Sequence, residues 1–183
     1  MSYGIYDQYV QHVFVVLSTC TYYRAEDFTW CDLDGQNNCV ASWNQHIPKY
    51  CGGCYLHATL SMIQDRLKIM KGRGQDVMLS RQTFLNCAPF YNISGGCDGG
   101  DPIDIFRWMN ERGLPDETCM LYNATDHTKF MDPFKNVTEC PDYAKCLNCM
   151  PIETPAPGYF SEVCWPVKTP VLYSVRSICT RIY

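Results

Sequence analysis

The chain has 183 residues, 46% of them hydrophobic and 19% charged, a formal net charge of -4 and 13 cysteines. That length suffices for one domain with its own core, and its scattered lysines and arginines form no basic stripe for phosphates, which argues against nucleic acid as a partner. No stretch approaches the roughly 20 apolar residues that a membrane span requires.

So high a cysteine count points either to disulfides in an oxidising compartment or to metal clusters. Three sequons, Asn92-Ile-Ser94, Asn123-Ala-Thr125 and Asn136-Val-Thr138, favour the secretory route, with a lysosomal or extracellular destination. The first twenty residues nevertheless offer only Val13 to Leu17 as an apolar run, with no Lys or Arg before it, a poor signal peptide. Residues 1–26 therefore read as a leader or propeptide remnant, with the true start expected upstream.

Trp30 to Gly35 opens a polar, turn-rich segment that leads to Cys51. A helix is predicted from Cys54, because Leu56, Leu60, Ile63, Leu67 and Met70 recur at the spacing of one buried helical face. Lys68 and Lys71 suit its negative end, and Gly72 and Gly74 can stop it. A second helix fits Ser80 to Cys87. A third is marked by Asp101 as N-cap, Pro102 at the first position, Ile103, Phe106 and Met109 on one face, and Gly113 past the end. Beyond Pro115 the chain is turn-rich, and residues 150–170 read as a loop insertion tied down by disulfides.

The chemistry concentrates between Asn44 and Ala58, in the run Asn-Gln-His-Ile-Pro-Lys-Tyr-Cys-Gly-Gly-Cys-Tyr-Leu-His-Ala. Cys54 begins a helix, where unpaired N–H groups and the macrodipole favour a thiolate. Gly52 and Gly53 let the backbone pass beneath a substrate and turn into that helix. Taken alone, a Cys-X-X-Cys pair such as Cys51-Gly-Gly-Cys54 is more often a disulfide, a redox couple or half a metal site than a protease nucleophile.

The wider context resembles one family. Gln45 to Ala58 is similar to the active-site block of the cathepsin X group of papain-like cysteine peptidases, which carries a His-Ile-Pro insertion between its oxyanion glutamine and its first cysteine. Trp30 to Gly35 resembles the start of that family's mature enzyme, and Gly96-Cys-Asp-Gly-Gly100 its substrate-cleft segment. Gly113 to Cys119 with Cys140, Cys146 and Cys149 continues the likeness, which covers about residues 28–173 and is strongest over 44–119.

The resemblance implies an α+β, papain-like fold, mainly its helical left lobe with disulfide-rich loops, lacking most of the β-barrel-like right lobe. Residues 27–173 would form the N-terminal part of the peptidase domain and 174–183 a divergent tail. Cys54 matches the nucleophile, and Gln45 the side chain that, with the Cys54 N–H, would stabilise an oxyanion. His46 matches the histidine that holds a substrate's C-terminal carboxylate, with Tyr50 bordering that subsite. Gly53, Gly99 and Gly100 would lie along the substrate, Gly100 bonding its backbone. Implied pairings are Cys51–Cys97, Cys87–Cys140, Cys119–Cys146 and Cys149–Cys164; Cys20, Cys31, Cys39 and Cys179 receive no partner. A peptide or protein is the implied partner, and neither metal nor organic cofactor is called for. Two positions depart from the pattern, Gly53 in place of serine and Tyr55 in place of tryptophan.

In papain-like enzymes the catalytic His and Asn follow the cysteine by about 130–150 residues, past residue 183. Of the four histidines, His12 lies in the leader, His57 reads as packing on the Cys54 helix, and His127 as a solvated loop residue. The chain is thus expected to stop before the catalytic histidine, with an apolar face that promotes self-association. The reading is a cysteine-type peptidase, specifically a carboxypeptidase. Alternatives are a secreted non-catalytic peptide-binding glycoprotein, a thiol–disulfide oxidoreductase using Cys51 and Cys54, and zinc held by Cys140, Cys146 and Cys149.

Overall fold

A computed structural model describes residues 28–72, 75–93, 95–126, 139–155 and 158–176. The leader expected over 1–26, together with Cys20, Gly74, His127, Asn136 and Cys179, lies outside them.

Helix α1 runs Cys54–Lys71 and buries Leu56, Leu60, Ile63 and Leu67. Met70, expected on the same face, is instead 51% exposed. It sits at the edge of the stripe in the final turn, just before Gly72 ends the helix at a φ of 66°. Gln64 is fully buried on this helix and accepts a hydrogen bond from the Leu79 N–H at 2.8 Å, which satisfies the amide and fixes the approach to the next helix. Helix α2, Arg81–Cys87, starts where Ser80 caps the Thr83 N–H at 3.2 Å.

Helix α3, Pro102–Glu111, is capped by Asp101 through the Ile103 N–H at 2.9 Å. Its buried face is Ile105, Trp108 and Met109, whereas Ile103 and Phe106 are only half-buried. The largest side chain sets that rotation. Trp108 packs edge-on against Phe84 and Tyr91, and its indole N–H donates to the Gly113 carbonyl at 3.0 Å. Leu114 then pairs with Tyr173 in a short bridge, and Val175 enters the core beside Met109.

The region expected as a loop insertion contains regular structure. After a single turn of helix, α4 at Asp142–Lys145, strand β1 spans Leu147–Glu153 and pairs antiparallel with β2, Phe160–Pro166. Cys149 stands opposite Cys164, and the two are disulfide-bonded. Pro151 and Pro166 fit because each strand of a two-stranded sheet has one unpaired side, on which a missing N–H costs no ladder bond. Met150, Ile152, Val163 and Trp165 share one exposed face of the hairpin. The architecture is α+β, with a helical core and this hairpin beside it.

Five disulfides hold the described residues: Cys31–Cys39, Cys51–Cys97, Cys87–Cys140, Cys119–Cys146 and Cys149–Cys164. The first joins two cysteines to which the sequence assigned no partner.

Candidate active site

Cys54 is the first residue of α1 and has an exposed, unpaired thiol. The N-cap residue, Gly53, has no side chain to bond the first-turn amides, so these remain open beside the sulfur. Gly52 lies against the neighbouring loop, its N–H donating to the Cys97 carbonyl at 2.8 Å. A Cβ there would come within 2.7 Å of that oxygen, so the close approach admits only glycine. At Gly53 the same atom would meet Cys51 Sγ and His57 Cδ2 at 3.5 Å, ordinary contact.

Three links draw residues 95–100 to the nucleophile. Cys51 is disulfide-bonded to Cys97, Gly52 bonds its carbonyl, and the Tyr55 hydroxyl donates to the Gly96 carbonyl at 2.9 Å. The phenol that stands in place of the usual tryptophan therefore ties the loop to α1. Within the loop, the Gly95 N–H donates to the Gly99 carbonyl at 3.0 Å and Gly99 has a φ of 114°, a backbone state open to glycine. Its amide nitrogen lies 3.8 Å from a Cβ position at Gly52, two residues before Cys54.

In the segment that leads to Cys51 the His46 and Tyr50 rings stack at 4.7 Å with 7° between their planes, and Tyr50 is 75% exposed. His46 Nδ1 accepts the Cys51 N–H at 3.4 Å. The His46 Nε2 lies 3.2 Å from the Gln45 side-chain nitrogen, so the amide and the ring are in hydrogen-bond contact.

Beneath Gln45 lies a buried polar cluster that sequence reasoning missed. The Gln45 carbonyl accepts from the Tyr122 hydroxyl at 2.7 Å, and the Tyr122 N–H donates to Glu117 at 2.6 Å. Arg81 is fully buried and covers the Trp43 ring at 4.5 Å. His57, 8% exposed, sets its ring against Tyr122 with centroids 4.9 Å apart. Burial, then the Arg81 charge and His46, lower the His57 pKa to about 4, so it is a neutral ring at physiological pH. Burial outweighs the Tyr122 N–H and Arg81 at Glu117 and pushes that carboxyl up to about 7.

Neither described histidine is paired with Cys54: His46 is engaged with Gln45 and Cys51, and His57 with Tyr122. The redox alternative loses its dithiol, since Cys51 is bonded to Cys97 rather than to Cys54. The zinc alternative loses its thiolates, since Cys140, Cys146 and Cys149 each sit in a disulfide. Among the described residues no helix is long and apolar enough to cross a membrane. Of the sequon asparagines, Asn92 and Asn123 are exposed.

The sequence profile of papain family cysteine proteases matches residues 24–152. Cathepsin Z of Onchocerca volvulus is 32% identical over 149 residues, which cover 81% of this chain and 40% of that protein. Cathepsin B-like cysteine proteinase 5 of Caenorhabditis elegans is 31% identical over 78 residues, 42% of this chain and 23% of its own. Among solved structures, a cysteine protease of Carica candamarcensis aligns with a TM-score of 0.41 at 25% identity, over 49% of this chain and 38% of that one. The chain spans less than half the length of each.

Proposed function

Because the chain belongs to the papain family of cysteine proteases, we propose that it carries the nucleophile and the oxyanion donor for hydrolysis of peptide bonds, in a carboxypeptidase that releases single C-terminal residues. The observation that carries this reading is a free, exposed thiol on the first residue of an 18-residue helix, where open backbone amides favour a thiolate. In this reading the Cys54 thiolate attacks the scissile carbonyl carbon. The carbonyl electrons move to oxygen, where the Cys54 N–H and the Gln45 NH2 receive the charge. Collapse expels the C-terminal residue as an amine, which takes up a proton, and water then hydrolyses the thioester. Turnover also requires a general base for the thiol and that water, a role neither His46 nor His57 fills in the described arrangement.

The finer assignment rests on the exposed His46–Tyr50 stack. His46 would hold the substrate's terminal carboxylate, with the Tyr50 ring bordering it, one residue beyond the scissile bond. Gly99 and Gly100 supply backbone along the other side of the substrate, and Gly53 leaves room above the disulfide. Five disulfides among the described residues suit an oxidising, lysosomal or extracellular setting, where the exposed Asn92 and Asn123 would accept glycans.

The test is hydrolysis of matched peptides ending in a free acid or an amide, with single-residue release followed by mass spectrometry. The free acid should be preferred by at least about tenfold, and His46→Ala should remove that preference, as loss of a charge-assisted hydrogen bond predicts. Equal cleavage of both peptides would refute the carboxypeptidase assignment. A second reading, a peptide-binding glycoprotein without turnover, draws on the absence of a histidine paired with Cys54 among the described residues. Peptide affinity that survives Cys54→Ala, in a chain that cleaves nothing, would select it.

A further inference from the structure

We propose that Tyr122 is a positioning residue that sets Gln45 relative to Cys54, with Glu117 and Arg81 holding it from below. The proposal rests on the reading of Gln45 as an oxyanion donor. Gln45 sits in a segment without regular structure, and every residue from His46 to Tyr50 is exposed. Something beneath must fix it, because a donor that misses the developing charge by about 1 Å loses much of its effect.

Tyr122 makes both of the required contacts. Its hydroxyl bonds the Gln45 carbonyl at 2.7 Å, while its ring lies edge-on to His57, on α1 one turn past Cys54. One rigid side chain therefore spans the donor segment and the nucleophile's helix. Its own backbone is held in turn, since Glu117 accepts the Tyr122 N–H and belongs to a turn clamped by the Cys119–Cys146 disulfide. Arg81 adds a second anchor two residues before Gln45, by covering the Trp43 ring from the start of α2. Glu117 Oε2 and the Arg81 Nε and Nη2 have no hydrogen-bond partner, so charge and packing are what hold these atoms.

The experiment uses the full chain and Tyr122→Phe, which removes one oxygen and keeps the ring against His57. Hydrogen exchange reads the segment itself. The His46 and Ile47 amides, which donate to Asn44 in the wild type, should exchange about tenfold faster in the variant, the cost of one lost part-buried hydrogen bond. Binding of a peptide aldehyde, which adds reversibly to Cys54 and places its oxygen at the donors, reads the function. Affinity should fall about tenfold in Tyr122→Phe, and the same substitution should add nothing in a Gln45→Ala background. Alkylation of Cys54 by iodoacetamide, which needs no oxyanion donor, serves as the control for a general loss of structure.

Unchanged exchange over residues 43–47, or an equal loss of aldehyde affinity with and without Gln45, overturns the proposal. If the wild type binds no aldehyde, the peptidase reading fails, and exchange alone decides whether Tyr122 positions Gln45. Should Tyr122→Phe not fold, Trp43→Leu removes the other anchor and must loosen the same amides; intact protection there counts against the proposal.

Discussion

His57 and Glu117 sit in one buried cluster and titrate in opposite senses, so each conceals the other's effect on stability. His57 has an ordinary value of 6.5 and a folded value of about 4. Between those limits the unfolded chain binds more protons, and stability rises with pH. The gap is worth on the order of 3 kcal/mol, lost as pH falls from 6.5 to about 4. Glu117 goes from 4.5 to about 7. Here the folded chain binds more protons, so stability falls as pH rises through that window, again by on the order of 3 kcal/mol. Both groups are only 8% exposed, so solvent screening takes little from either figure. Their windows overlap, and in the wild type the two slopes largely cancel. Single substitutions unmask them. Relative to wild type, Glu117→Gln should gain about 3 kcal/mol as pH rises from 4.5 to 7, and His57→Phe should lose about 3 kcal/mol from 4 to 6.5. Urea melts with intact disulfides at half-unit steps of pH measure both, and referring each variant to wild type removes the contribution of every other carboxylate. A difference curve that stays flat in either variant would refute the opposed pair. Arg81, Tyr122, Asp116 and His46 face these groups, and Arg81 keeps His57 neutral in the Glu117 variant as well.

Gly52→Ala should cost about 1–3 kcal/mol and slow labelling of Cys54 by a peptidyl electrophile, because its Cβ would lie 2.7 Å from the Cys97 carbonyl; a variant as stable and as reactive as wild type would contradict that. Gly53→Ser should be tolerated, with stability raised by up to about 1 kcal/mol in urea melts, since the site has a φ of -95° and ordinary contact distances. Removing Cys149 and Cys164 together, as serines, opens a 15-residue closure worth about 3 kcal/mol at most. The loss should appear as faster exchange in β1 and β2, with α1 protection unchanged; loss of protection in α1 would show the hairpin to be part of the core's cooperative unit.

Much of the helical half was legible because periodic burial and caps are local signals. Leu56, Leu60, Ile63 and Leu67 carried α1, and Asp101 with Pro102 carried the start of α3. The rotation of α3 was not legible, because it depends on where Trp108 finds Phe84, Tyr91 and the Gly113 carbonyl, all tertiary partners. The hairpin was obscured by prolines at 151 and 166, although Met150, Ile152, Val163 and Trp165 alternate with period two. At the site, Cys54 and the neighbouring glycines stood out by residue type and position, and Gln45 and His46 through the family resemblance of the block around them. Tyr122, Glu117, Arg81 and Trp43 did not. They meet only through contacts between residues as far as 77 apart in sequence, and the one available clue was a pair of charged side chains beside apolar runs.

The most direct test of the central claim is the mass of the full, disulfide-intact chain after incubation with a peptidyl epoxide, with the adduct located by peptide mapping. The account predicts one equivalent on Cys54, none in Cys54→Ala, and no comparable labelling of the unfolded chain, since the peptide must first be held beside the thiol. Labelling spread over other residues, or labelling of Cys54 that is equally fast after unfolding, would show that the folded chain does not present Cys54 to peptides as a nucleophile.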